Sequence, residues 1–211
     1  MLIKLAHVTI NTNDFEKSIS DVQKQGYILD VCYKNIENPK IKEKFLENYY
    51  PLHHLALLKK NDCLDIEIID QKSTNHSNSF IKNIICKEKC IKISILTSSI
   101  EKSRWFWEKL GFSFNNTNTL KFQSVLNENL IHIELIVDRQ YEVESLHGHQ
   151  GSYAIAFISN HLIKEHLRLQ QANIQVSDIE ILRLGNQMLK IFFAFGEQGE
   201  LVEIYQIINQ E

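Results

Sequence analysis

Leu5–Tyr27, LAHVTINTNDFEKSISDVQKQGY, and Cys90–Phe112, CIKISILTSSIEKSRWFWEKLGF, can be laid one above the other without a gap. Glu16-Lys17-Ser18 then falls on Glu101-Lys102-Ser103, Lys24 on Lys109, Gly26 on Gly111 and Tyr27 on Phe112. A third copy, Ser152–Ile174, SYAIAFISNHLIKEHLRLQQANI, places Asn173 opposite Gly26. An internal repeat of this kind takes precedence over any local reading, because it dictates the architecture. Each copy opens with an apolar, β-rich run. Each continues with a cluster suited to capping a helix: Asn13-Asp14, Ser98-Ser99 or Ser159-Asn160. An amphipathic helix follows, with Ile100, Trp107 and Leu110, or Leu162, Leu167 and Leu169, among its apolar positions. The helix stops at Gly26, Gly111 or Asn173, residues that tolerate a left-handed backbone.

The copies also close alike. Apolar strands are expected at Leu52–Leu58, Leu120–Leu126 and Met188–Phe195, each followed by a last strand at Leu64–Asp70, Leu130–Asp138 and Leu201–Ile208. The last strands centre on an acid, Glu67, Glu134 and Glu203, flanked by β-branched or apolar residues. The fold class is therefore α+β: three tandem βαβββ modules, with a polar, helical insert in module 1 at Asn38–Glu47. A single glutamate on an alternating strand usually marks the wet side of a sheet. Three at one module position point equally to an inward-facing, functional set.

Composition excludes several classes. The chain has 211 residues, a formal net charge of -3, 44% hydrophobic and 23% charged residues, as an ordinary globular protein has. Acids and bases are interspersed, so no basic stripe for nucleic acid is expected. The basic stretch Lys82–Lys92 reads as a solvated linker. No apolar run is long enough for a membrane helix, and Met1–Asn11 lacks the apolar block of a signal peptide, so a cytoplasmic protein is expected. Cys32, Cys63, Cys86 and Cys90 suit reduced thiols there; Cys63 reads as a small hydrophobe, and no zinc-finger spacing follows Cys86 and Cys90. Gly148 and Gly151 lie in the histidine-rich HGHQG segment and form no phosphate-binding loop.

The HVTINTNDFEKS opening, IEKSRWFWEKLGF in module 2 and the AFGEQGELVEIYQ ending together resemble the vicinal oxygen chelate (glyoxalase/bleomycin-resistance/dioxygenase) superfamily over nearly the whole chain. The resemblance implies that two modules pair into an open curved sheet around a cavity. It implies metal ligands on the first and last strand of each module. Module 1 matches in full with His7 and Glu67. Module 2 has Lys92 in place of histidine, with Glu134 as its acid; module 3 has Ala154, beside Tyr153, with Glu203. Lys92 cannot ligate while protonated and forms a natural ion pair with Glu134. His132 shares a strand face with Glu134, and one of the neighbours His53 and His54 can face His7. The candidate metal ligands are thus His7, Glu67, Glu134, Glu203 and His132, for a divalent transition metal such as Zn, Ni, Mn or Fe. Glu67 and Glu134 are the candidate catalytic carboxylates.

Adjacency in sequence suggests a single module at 1–72, a linker at 73–89, and a two-module domain at 90–211 (modules 90–140 and 151–209). Module 1 then has an open sheet edge, and a homodimer through residues 1–72 would close it and bring His7 and Glu67 against their symmetry mates. The resemblance implies a small oxygenated molecule as ligand or substrate, with lyase, isomerase, epimerase or dioxygenase chemistry. A metal-free binding protein of the drug-resistance kind is the alternative, its pocket drawn from aromatics such as Trp105, Trp107, Phe193 and Tyr205. A degenerate module array serving protein interaction is a third reading.

Overall fold

A computed structural model describes residues 2–46, 48–71, 79–87, 90–116, 118–124, 130–138, 140–141 and 151–208. Module 1 comprises β1 (Leu2–Asn11), α1 (Phe15–Lys24), β2 (Ile28–Glu37), a 3-10 segment at Lys40–Lys44, β3 (Leu52–Lys59) and β4 (Asp65–Asp70). A separate strand, β5 (Ile81–Lys87), precedes module 2, which consists of β6 (Cys90–Thr97), α2 (Ile100–Lys109), β7 (Ser113–Asn116), β8 (Thr119–Gln123) and β9 (Leu130–Val137). Module 3 consists of β10 (Gly151–Ser159), α3 (Leu162–Gln171), β11 (Gln175–Val176), β12 (Glu180–Leu184), β13 (Gln187–Phe195) and β14 (Leu201–Ile208). The three βαβββ units read from the repeat are all present, and the protein is α+β.

The helix ends follow the expected local chemistry. Asp14 and Ser99 accept hydrogen bonds from the Lys17 and Lys102 amides and so cap α1 and α2. The helices are followed by residues in the left-handed region: Gly26 at φ 88°, Gly111 at 101° and Asn173 at 59°. Helix α3 differs, since no side chain at its N-cap residue His161 makes the cap bond. The Leu162 amide instead donates to Gln206 Oε1 on β14, at 3.1 Å.

Which modules pair is where the structure departs from adjacency. Modules 1 and 3 form one sheet in the order β11-β13-β14-β10-β1-β4-β3-β2, with β12 also on β13. Their first strands meet antiparallel, with His7 opposite Ala156, Val8 opposite Ile155 and Thr9 opposite Ala154. The register is that of a local two-fold axis between Val8 and Ile155. Module 2 forms a second sheet, β5-β6-β9-β8-β7. The expected two-module domain at 90–211 is therefore corrected: module 3 pairs with module 1. Residues 81–87, expected as linker, are a strand that lies antiparallel on β6. That strand occupies the module 2 edge that a partner's first strand would need. The β1 edge of module 1 is likewise filled, by β10 of the same chain, so His7 and Glu67 meet module 3 rather than symmetry mates.

The two sheets share one core. Leu5, Val8, Phe157, Phe192 and Ile204 of the large sheet pack in a single buried cluster with Ile93, Phe106, Trp107 and Ile133 of module 2. Polar contacts fix the docking: Ser98 Oγ donates to Gln198 Oε1 at 2.6 Å, and the buried Ser103 hydroxyl donates to Glu200. Cys63 and Cys86, expected as separate thiols, are joined in a disulfide that ties the β3–β4 turn to β5. The reading of Cys63 and Cys86 as reduced thiols, and of Cys63 as a small hydrophobe, is thereby corrected. Among the described residues no helix is long and apolar enough to cross a membrane.

Candidate metal centre

The opposite face of the large sheet is concave. Its floor carries His7 on β1, Glu67 on β4 and Glu203 on β14. One ligand atom from each lies within 4.8 Å of the others. The strand period explains the convergence: His7 and Thr9 share one face of β1, Thr9 lies beside Glu67 in the parallel β1–β4 ladder, and Ala156 lies beside Glu203 in the β10–β14 ladder. The local two-fold thus relates Glu67 to Glu203 and His7 to Ala154. Three of the four symmetry positions carry side chains that could ligate a metal, and the fourth is a methyl group.

The donors are held from several sides. Thr9 Oγ1 donates to Glu67 Oε2 at 2.9 Å, while His7 Nε2 lies 3.6 Å from the same oxygen. The His7 ring stacks on Tyr205, with centroids 6.1 Å apart and planes 28° from parallel. His7 Nε2 is fully buried and has no hydrogen-bond partner. Burial, then the neighbouring Glu67 carboxylate, push Glu203 up to about 7. Burial followed by the two carboxylates also raises the Tyr153 and Tyr205 hydroxyls, so both are neutral donors at ordinary pH. A buried imidazole nitrogen without a partner, facing two carboxylates that repel each other, is a donor set that a divalent cation satisfies. The residues present fit a metal ion.

Above this floor lies a cavity of about 520 Å³, whose lining includes Glu67, Glu203, Lys42, His53, Ile191 and Leu182. The 3-10 segment Lys40–Lys44 crosses it as a strap. Its amides at Lys40 and Ile41 donate to the Glu180 carboxylate on β12, at 3.3 and 3.0 Å, and Lys44 Nζ pairs with Asp178 at 2.7 Å. The insert of module 1 is thereby tied to module 3. His53 faces the cavity and has neither ring nitrogen hydrogen-bonded. Its neighbour His54 points to the other face, where Nδ1 accepts from the Asn35 amide at 3.1 Å, as alternation requires.

The remaining sequence candidates lie elsewhere. Glu134 and His132 are on β9 of the module 2 sheet, outside the His7–Glu67–Glu203 group. Glu134 Oε1 accepts from Lys92 Nζ at 2.9 Å and Oε2 from Ser94 Oγ at 2.9 Å. The Ser94–Glu134 bond repeats the Thr9–Glu67 bond, residue for residue, so module 2 keeps the scaffold of a ligand pair while Lys92 stands where the imidazole would be. The Lys92 ammonium, first, and the Ser94 hydroxyl hold the Glu134 carboxyl below its ordinary value, against its partial desolvation. Of the aromatics, Trp107, Phe106, Phe122, Phe157 and Phe192 are core, whereas Phe193, Phe195 and Tyr205 pack on the cavity side. Trp105 is exposed. His147 and His149 lie outside the described residues. Sequence reasoning missed Thr9, Tyr153 as part of the floor, and Lys42. Thr9 was findable from its place two residues after His7, with Ser94 matching it.

No family model and no curated protein matches the sequence. Solved structures similar to it include a putative dioxygenase from Bacillus subtilis (11% identity, TM-score 0.40, covering 98% of this chain and 63% of that one). A glyoxalase I mutant from Zea mays is similar at 12% identity and TM-score 0.38, over 96% of this chain and 68% of the other. A bleomycin resistance determinant encoded on the transposon Tn5 is similar at 12% identity and TM-score 0.40, over 55% of this chain and 94% of the other. The chain thus spans just under two thirds of the Bacillus protein.

Proposed function

We propose that the protein is a metal-dependent enzyme acting on a small oxygenated molecule, with a single divalent metal held by His7, Glu67 and Glu203. The observation that carries this reading is the convergence of those three donors from three strands, with a buried His7 nitrogen left without a hydrogen bond. One imidazole and two carboxylates favour a borderline-to-hard ion such as Mn, Fe, Ni or Zn over a soft one. The metal supplies Lewis acidity toward substrate oxygens. The chain's own residues supply the rest. Thr9 fixes the rotamer of Glu67, and Tyr205 fixes the plane of His7. Tyr153 and Tyr205 keep neutral hydroxyls beside the carboxylates. Ala154, in the position related to His7, leaves the side of the site where two neighbouring substrate oxygens fit. A three-ligand site of this kind suits lyase, isomerase or oxygenase chemistry, and Glu134 has no part in it.

Metal-stripped protein titrated calorimetrically with Mn²⁺ and Zn²⁺ tests the proposal. One ion per chain is expected, with affinity lowered about 100-fold or more in His7→Ala, since even outer-sphere partners of a metal are worth 10–100-fold. Glu134→Ala should leave binding unchanged. Absence of metal binding, or indifference to His7→Ala, would remove the proposal in favour of a metal-free binding cavity.

A further inference from the structure

Lys42 is only 6% exposed, yet among the described residues no carboxylate lies within ion-pair distance of its ammonium. Its one recorded partner is the face of Phe193, 5.8 Å from the ring centroid. Lys44, on the same segment, is by contrast paired with Asp178. Glu180 on β12 is already engaged by the Lys40 and Ile41 amides, and the Lys42 charge acts on Glu203 across the same cavity without an ion pair between them. His53, 4% exposed and also lining the cavity, has both ring nitrogens buried without partners. Desolvation, and then the Lys42 charge, hold His53 far below its ordinary value, at about 3, so it is neutral and offers one N–H. An imidazole buried with neither nitrogen satisfied is costly to a fold, and a lysine beside it without a carboxylate in ion-pair distance offers its charge to an anion. They lie in one cavity, beside apolar walls from Ile36, Leu55 and Ile191.

We infer that Lys42 and His53 form an anion-recognition subsite, so that the substrate is a small organic acid carrying a carboxylate separate from the two oxygens that meet the metal. This rests on the metal-site reading for the second half of the molecule only; the carboxylate subsite stands on Lys42 and His53 themselves. A carboxylate there accepts a charge-assisted bond from Lys42 and a second bond from the His53 N–H. The apolar walls cover the carbon skeleton between the two ends. The strap that carries Lys42 is bonded to module 3, so the ammonium is presented on a fixed element and little ordering is needed when the acid binds.

The probe is 3,4-dihydroxybenzoate against its methyl ester, which carries the same vicinal oxygens without the charge. Binding is measured with the full chain, metal-free and Mn²⁺-loaded. The acid should bind about tenfold or more tighter than the ester, as a charge-assisted bond to a buried group implies. Lys42→Met should erase that preference, and Lys42→Arg should keep most of it. His53→Phe should weaken acid and spare ester. Equal binding of acid and ester, no binding of either, or a preference that survives Lys42→Met would overturn the inference. A chain that takes up no Mn²⁺ yet prefers the acid through Lys42 would sink the metal proposal and leave this one standing. Retained thermal stability in Lys42→Arg separates loss of recognition from loss of fold.

Discussion

Glu203 and His53 occupy the same cavity, and burial moves their proton affinities in opposite directions. Glu203 is raised from 4.5 to about 7, so the folded metal-free protein keeps a proton that the unfolded chain releases, and stability falls as pH rises through that window. His53 is lowered from 6.5 to about 3, so the unfolded chain takes up a proton that the fold refuses, and stability falls as pH drops below about 6.5. Each effect is roughly 3–5 kcal/mol, at 1.36 kcal/mol per unit. In urea midpoints of the metal-free protein the two slopes should offset each other between about pH 4.5 and 6.5, so that single variants unmask them. Glu203→Gln should raise stability at pH 8 relative to pH 5, and His53→Phe should flatten the acid limb. The convergence of His7, Glu67 and Glu203 was partly legible in sequence, since module position and strand period put each on the sheet. Glu134 occupied the same module position and read the same way. What separates it is Lys92, whose ammonium satisfies the carboxylate in place. Lys42 was illegible because a lysine in a polar insert is normally solvated, and only the strap's attachment to β12 buries it.

The helices show how much local chemistry decides at the level of single elements. Asp14→Ala and Ser99→Ala should each cost about 1 kcal/mol in urea unfolding, the usual loss for a side-chain N-cap. Asn160→Ala should cost nothing measurable, although its segment looks like a cap. Gln206→Ala should cost about as much as the other two, because Gln206 supplies the bond to the Leu162 amide across 44 positions of sequence. The first two caps and the left-handed stops at Gly26, Gly111 and Asn173 were readable because donor and acceptor lie within a few residues. The third cap was not, because its acceptor comes from β14 and exists only once the module has closed. Strand positions were equally local: β14 runs Leu201–Ile208, as alternation around Glu203 required. The polar insert holds the expected helical turn, a 3-10 segment at Lys40–Lys44.

Over the whole molecule, pairing is settled by which sheet edges remain open, and that is not written in any one segment. IKNIICK, Ile81–Lys87, lies in a charge-rich stretch, and its exposed residues gave it the look of a linker. Laid on β6, it closes module 2 and leaves module 3 to find β1. Replacing Ile84 and Ile85 together by proline should strip β5 from that edge, since neither could then donate to the ladder. Concentration-dependent self-association, read by light scattering after size exclusion, is the expected result; an unchanged particle mass would show that the edge is protected otherwise. The antiparallel meeting of β1 and β10 within one polypeptide has a consequence of its own. Where two identical chains build such a centre, any change to one half is imposed on the other, and losing one imidazole means losing both. Joined end to end, the halves can differ: this chain has a histidine on one side and Ala154 on the other, which gives the site a front and a back.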